Sequence, residues 1–164
     1  MLQTAREQLQ FDWILCFDAD ERVTGDLRGF IEGKHSSDYD GVRVQLFTYM
    51  TPGDHAPYQA DRESLGFRRF FGPERQDILM LWRNRSDIIF AKHHAREPGG
   101  VERVGTGLYC QHYGKSLSVE HWEETCEYYM RHFPFDTYGR KWRDRKGRAI
   151  HTQSDFMRPL VRVG

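Results

Sequence analysis

The sequence predicts an α/β domain, and three stretches carry the prediction. "DWILCF" (12–17) is apolar without alternation, as a strand covered on both faces is. "GVRVQLFTYM" (41–50) sets Val42, Val44 and Leu46 against Arg43 and Gln45, the two-residue period of a half-exposed strand. Between residues 119 and 133, Val119, Trp122, Cys126, Tyr129, Met130 and Phe133 recur at three- and four-residue steps, which gives a helix one apolar face.

The remaining elements follow in order. "TAREQLQ" (4–10) reads as the end of a helix. After the first strand, Asp26 starts a short helix carrying Leu27, Phe30 and Ile31, and Gly33 closes it. Residues 51–66 turn polar and contain Pro52, Gly53 and Pro57, a loop. "DILMLWRN" and "DIIFAKHH" read as the two strands of a hairpin, with Asn84 to Asp87 between them. "LYCQHYG" (108–114) is a further short strand. Ser118 occupies the N-cap of the long helix with Glu120 in its first turn, and Pro134 ends it. Residues 134–164 form a basic, Gly-interrupted tail of weak pattern.

Composition narrows the function classes. At 164 residues the chain fits one domain, and its charged residues cancel to zero net charge. No global field therefore points to nucleic acid or to a membrane surface as the main partner. No apolar run reaches the roughly 18 to 20 residues of a transmembrane helix, and the first residues lack a signal-peptide pattern. Cys16, Cys110 and Cys126 are unevenly spaced in apolar company, which suits free thiols of a reducing compartment. The expected location is the cytoplasm.

Chemistry gathers where the first strand ends. Asp18, Asp20 and Glu21 follow an apolar run, at the end of a strand where open α/β sheets collect ligands. Two aspartates one residue apart can aim both carboxylates at one point, and like charges held close require a cation between them. Mg²⁺ or Mn²⁺ beside substrate phosphates meets that requirement. A polar turn, with an acid pairing Arg22 or capping a helix, is the other reading of the same residues.

"FDWILCFDADERVTGDL" resembles the central segment of family 2 glycosyltransferases, which carry an Asp-any-Asp motif after a hydrophobic strand in a GT-A fold. "ILMLWRNRSDIIFAKHHARE" is similar to the family's next segment, and "LYCQHYGKSLSVEHWEETCEYY" to its later His-Tyr segment and following helix. The resemblance implies a partial GT-A-like domain over 1–133, its metal and acceptor side, with a mixed sheet and flanking helices. Residues 134–164 would be a basic lid.

It further implies an inverting, Mn²⁺- or Mg²⁺-dependent enzyme that moves a sugar from a nucleotide-sugar donor to a hydroxyl of a glycan or lipid-linked acceptor. Such an enzyme would work at the cytoplasmic face of the membrane, without a transmembrane segment or a nucleic-acid partner. Asp18, Asp20 and His112 would hold the metal. Asp18, Arg145 and Lys146 would contact the donor. Asp77 or Glu97 would act as general base, with Glu74 as a rival. The family's usual nucleotide-binding half, expected before the acidic motif, is not in this sequence. The sequence also departs from the family at Met80, where an arginine is usual, and at His93-His94-Ala95-Arg96, which displaces Glu97 by two places.

Alternatives remain open from the residues alone. One is a non-catalytic remnant or partner subunit that keeps the fold. Haloacid-dehalogenase phosphatases share an Asp-any-Asp after a strand, but Arg22 stands where they want Thr or Val. His112 is equally a metal contact or a core residue. "GRKWRDRKGR" (139–148) is a lid over a diphosphate, a contact for anionic lipid heads, or a solvated tail. Arg68, Arg69, Phe70 and Phe71 line an acceptor groove or form an ordinary packed loop.

Overall fold

The computed structural model describes residues 6, 10–50, 69–74, 76–92, 95–133 and 136–162, with the backbone alone at 35 and 136–138. The expectations for residues 51–66, for His93 and His94, for Pro134 and for most of the helix at 4–10 lie outside the described residues. In chain order the elements are β1 (Trp13–Leu15), β2 (Glu21–Thr24), α1 (Leu27–Glu32), a 3₁₀ turn (Lys34–Asp38), β3 (Gly41–Met50), β4 (Phe70–Phe71), β5 (Gln76–Arg83), β6 (Val104–Lys115), α2 (Val119–His132), α3 (Asp136–Arg145) and β7 (Val161–Arg162). The fold is α/β. Its seven strands belong to one sheet, and β1–β5, β3–β5, β3–β4 and β4–β7 pair antiparallel. The chain divides into two compact units, Met1–Leu46 with Arg75–Gln111, and Phe47–Glu74 with His112–Gly164.

In the first unit β5 lies between β1 and the start of β3. Val42, Val44 and Leu46 turn inward as their alternation requires, and pack with Met80, Leu81, Leu108 and Cys110. β1 is an edge strand of three half-buried residues, where a doubly covered central strand is expected. Trp13 is half-buried, and the Arg83 guanidinium covers its ring at 4.1 Å. The register of β3 on β5 shifts between Val42 and Arg43. Beside it, a Cβ on Gly41 would lie 2.7 Å from Val101 Cγ1 and 2.9 Å from Leu79 Cδ1, so the close strand approach needs glycine there.

The expected hairpin after β5 does not form. Ile88 plugs a small core with Leu79 and Trp82, and residues 87–92 make only one bridge, Ile89 with Gly99. Asp26 caps α1 by accepting from the Gly29 amide at 2.7 Å, and Gly33 ends it, both as expected.

Asp40 fixes the entry to β3. Its buried carboxylate accepts from Arg103 Nη2 at 2.8 Å, from the Arg103 amide at 3.1 Å and from Arg85 Nη1 at 2.9 Å. The hydrogen bonds from Arg103 hold its pKa down at about 2. A depressed carboxyl pKa stabilises the fold above the ordinary value near 4, and that contribution is lost as pH falls towards the folded value. Asp40→Ala is expected to lose about 2 kcal/mol at pH 7, with the gap to the parent closing between about pH 4 and pH 2. Urea midpoints at both ends of that range check it; a gap independent of pH would remove Asp40 as the linked group.

The second unit is built on α2. Ser118 caps it from its side chain to the His121 amide at 3.1 Å. Trp122 and Cys126 are buried, with Tyr129 and Met130 beside them, while Val119 and Phe133 at the two ends remain exposed. Within the basic tail, where weak structure is expected, the described residues form α3, which packs on α2 through Trp142, whose ring stacks on Tyr129 at 4.3 Å and 5°. Phe70 and Phe71 are strand residues of β4, and Phe71 packs edge-on against Phe47. All three cysteines are free, with Cys110 and Cys126 buried. Burial pushes the Cys110 thiol up to about 12. Among the described residues no helix is long and apolar enough to cross a membrane.

Candidate functional site

The acidic motif sits on a tight turn in the first unit. The Cys16 amide donates to the Met80 carbonyl at 2.8 Å, extending the β1 pairing by one residue. The chain then turns, with the Glu21 amide on the Asp18 carbonyl at 3.1 Å, and β2 begins. The Glu21 side chain folds back into this turn and accepts from the Asp18 amide at 2.7 Å. Glu21 starts a strand whose inward positions are Glu21 and Val23, so its carboxylate is carried below the surface, 1% exposed.

Arg96 supplies the cation. Its Nη2 donates to Glu21 Oε1 at 2.6 Å and its Nη1 to Asp18 Oδ2 at 3.0 Å, one guanidinium spanning both carboxylates. Burial works against its charge, and Glu21 and Asp18 outweigh that to raise its pKa above the ordinary value. A cavity of about 290 Å³ opens beside the pair, lined by Asp18, Glu21 and Arg96 with Phe17, Met80 and Phe90 as apolar wall. Two carboxylates against one guanidinium leave this wall one net negative charge. Asp20 is exposed at the end of the turn and does not line the cavity.

No family model, curated protein or solved structure matches this chain.

Asp77 and Glu97 come together, but on a different arginine. Arg43 Nη2 donates to Glu97 Oε2 at 2.7 Å, and Arg43 Nη1 donates to Glu97 Oε1 and to Asp77 Oδ1, both at 3.1 Å. Glu97 also accepts from the Leu79 amide at 3.1 Å. Neither acid lines the cavity. The arrangement ties the 95–100 segment to the sheet.

The other named residues lie in the second unit. His112 Nδ1 is 3.4 Å from Thr48 Oγ1. Glu74 accepts from the Ser154 hydroxyl. Lys146 pairs with Glu127 at 2.7 Å, which raises the ammonium pKa. Arg145 faces a second cavity together with Lys115 and Lys141. Among the described residues no group of three or more His, Cys, Asp or Glu side chains could hold a metal ion. Asp18 pairs with Arg96, Asp20 is exposed outside the cavity wall, and His112 belongs to the second unit.

The sequence reading gives Arg96 no role, since no local pattern joins it to a turn some 75 residues earlier. Glu21 carries a signal: in "ERVT" it shares the inward face with Val23.

Proposed function

We propose that this chain is the acidic-motif and acceptor-side portion of a GT-A-like glycosyltransferase domain. In this reading it transfers a sugar from a nucleotide-sugar donor to a hydroxyl of a glycan or lipid-linked acceptor, with inversion. One observation carries the proposal: the turn after a hydrophobic strand puts Asp18, the first acid of its Asp-any-Asp motif, and Glu21 into the wall of a cavity, beside apolar and aromatic surface. Sugars suit such a wall. Their hydroxyls donate to fixed carboxylate oxygens, and their C–H faces lie on rings such as Phe17 and Phe90.

Arg96 holds the carboxylates in place before the ligand arrives, so less ordering is needed on binding. Asp77 and Glu97 act in this reading as braces through Arg43.

The test is a titration of the ¹⁵N-labelled chain with UDP- and GDP-hexoses, with and without Mn²⁺. Shifts are expected at residues 16–21 and at Arg96, and Asp18→Ala is expected to weaken binding about ten- to a hundredfold, the loss of a hydrogen bond to a charged group. No response to any sugar nucleotide overturns the reading. That result favours the second one, a fold-keeping non-catalytic subunit. The observation on its side is that Arg96 and Arg43 between them hold Asp18, Glu21, Asp77 and Glu97.

A further inference from the structure

The second unit contains a larger cavity, of about 520 Å³, and its wall is rich in cations. Lys115 reaches it from β6, Lys141 and Arg145 from α3, and Arg148 from the turn that follows. Against these four stand two carboxylates, Asp144 and Asp155.

Lys115 is the unusual member. Its side chain is only 8% exposed, and its ammonium pairs with Asp155. Burial lowers its pKa, with Asp155 opposing and Arg145 adding to the fall. Asp155 is shared, since Arg145 Nη2 also approaches it at 3.8 Å. Burial lowers the Lys141 pKa as well, and the neighbouring Arg145 charge lowers it further. Lys115, Lys141 and Arg145 are close enough to repel one another, and within the wall cations outnumber carboxylates four to two, with Glu74 and Glu123 bonded behind it to Ser154 and Gly147. An ordinary surface would let such side chains spread into water. Here Arg145 is positioned: Trp122 Nε1 donates to its carbonyl at 2.9 Å, and its guanidinium lies over Trp142 at 4.9 Å.

We propose that this cavity binds a phosphate or diphosphate group, with Lys115, Lys141, Arg145 and Arg148 as its contacts. A phosphate monoester carries about −1.5 to −2 charges near pH 7, opposite in sign to the four cations of the wall. Guanidinium groups such as Arg145 and Arg148 take phosphate oxygens in pairs. The group could belong to a soluble phosphorylated compound or to a phospholipid head, and its chemistry is the same in both. Lys146 is no part of the site, because Glu127 takes it. The inference uses the second unit alone, and its test contains no sugar nucleotide, so its failure leaves the sugar-transfer reading untouched.

The ¹⁵N-labelled full chain is titrated with inorganic pyrophosphate at constant ionic strength. Saturable shifts at Lys141, Arg145, Gly147 and Arg148 are expected. The exposed pair Lys141→Glu with Arg148→Glu is expected to weaken binding at least tenfold without lowering the melting temperature. Lys115→Met is a second variant, read only if its circular dichroism spectrum is unchanged, and is expected to weaken binding similarly. Sedimentation with phosphatidic acid vesicles, competed by pyrophosphate, assigns the group to a lipid head, and failure to sediment assigns it to a soluble compound. Absence of saturable shifts, or shifts of equal midpoint in the double variant, overturns the proposal.

Discussion

Arg96→Ala is expected to destabilise the first unit by about 2 to 3 kcal/mol. Removing one partner of a fully buried ion pair costs about 3 to 5 kcal/mol, because the other charge stays behind without compensation. Glu21 is that other charge, buried at 1% exposure, while Arg96 is 51% exposed beside an open cavity, so water offsets part of the loss. For a chain of this size the change corresponds to roughly 5 to 10 °C in melting temperature.

Adding Glu21→Gln to Arg96→Ala is expected to recover much of the loss, since a neutral amide leaves no stranded charge. The double-mutant cycle then gives a coupling of about 1 to 3 kcal/mol. Additive effects would mean that the guanidinium merely rests on the acids. With Arg96 gone, Asp18 and Glu21 need another cation, and added Mn²⁺ is expected to raise the melting temperature of Arg96→Ala more than that of the parent.

Trp122→Ala is expected to be costlier still, about 3 to 5 kcal/mol, the range for truncating a buried aromatic. Trp122 is 2% exposed at the centre of the second core, against Cys126, Trp142 and Ala149. Its loss opens a void and releases the Arg145 carbonyl from its donor. Trp122→Phe separates the two effects. It keeps most of the packing, loses the hydrogen bond, and is expected to cost about 1 to 2 kcal/mol. Pyrophosphate binding should fall in both variants if the anchored Arg145 backbone shapes the cavity. Unchanged binding in a folded Trp122→Phe would confine Trp122 to packing. Guanidinium chloride unfolding followed by far-UV dichroism supplies the stabilities.

Local signals in the sequence were reliable where one residue decides one bond. Asp26 and Ser118 each cap a helix from the side chain, because an N-cap oxygen needs only the amide three residues on. The alternation in β3 also survives, since the strand period assigns faces regardless of partner. What failed depended on long-range contacts. "DIIF" looks like a strand, yet Ile88 is drawn inward by Leu79 and Trp82, its amide and carbonyl bond to Arg85 and Arg6, and strand pairing is confined to the bridge of Ile89 with Gly99. α3 has no apolar periodicity to mark it, because a single buried ring, Trp142, anchors a mostly charged helix. At the site, the acids were visible and their cation was not: Arg96 meets Asp18 only after the intervening strands have paired.

The stack of Trp142 on Tyr129, with Arg145 over the indole, has an experimental use. Indole emission responds to charge held against the ring, so any compound that draws that guanidinium aside changes the light the protein emits. Unlabelled material in a fluorimeter would thus report occupancy directly, and a Trp142→Phe sample would identify which of the four tryptophans is speaking.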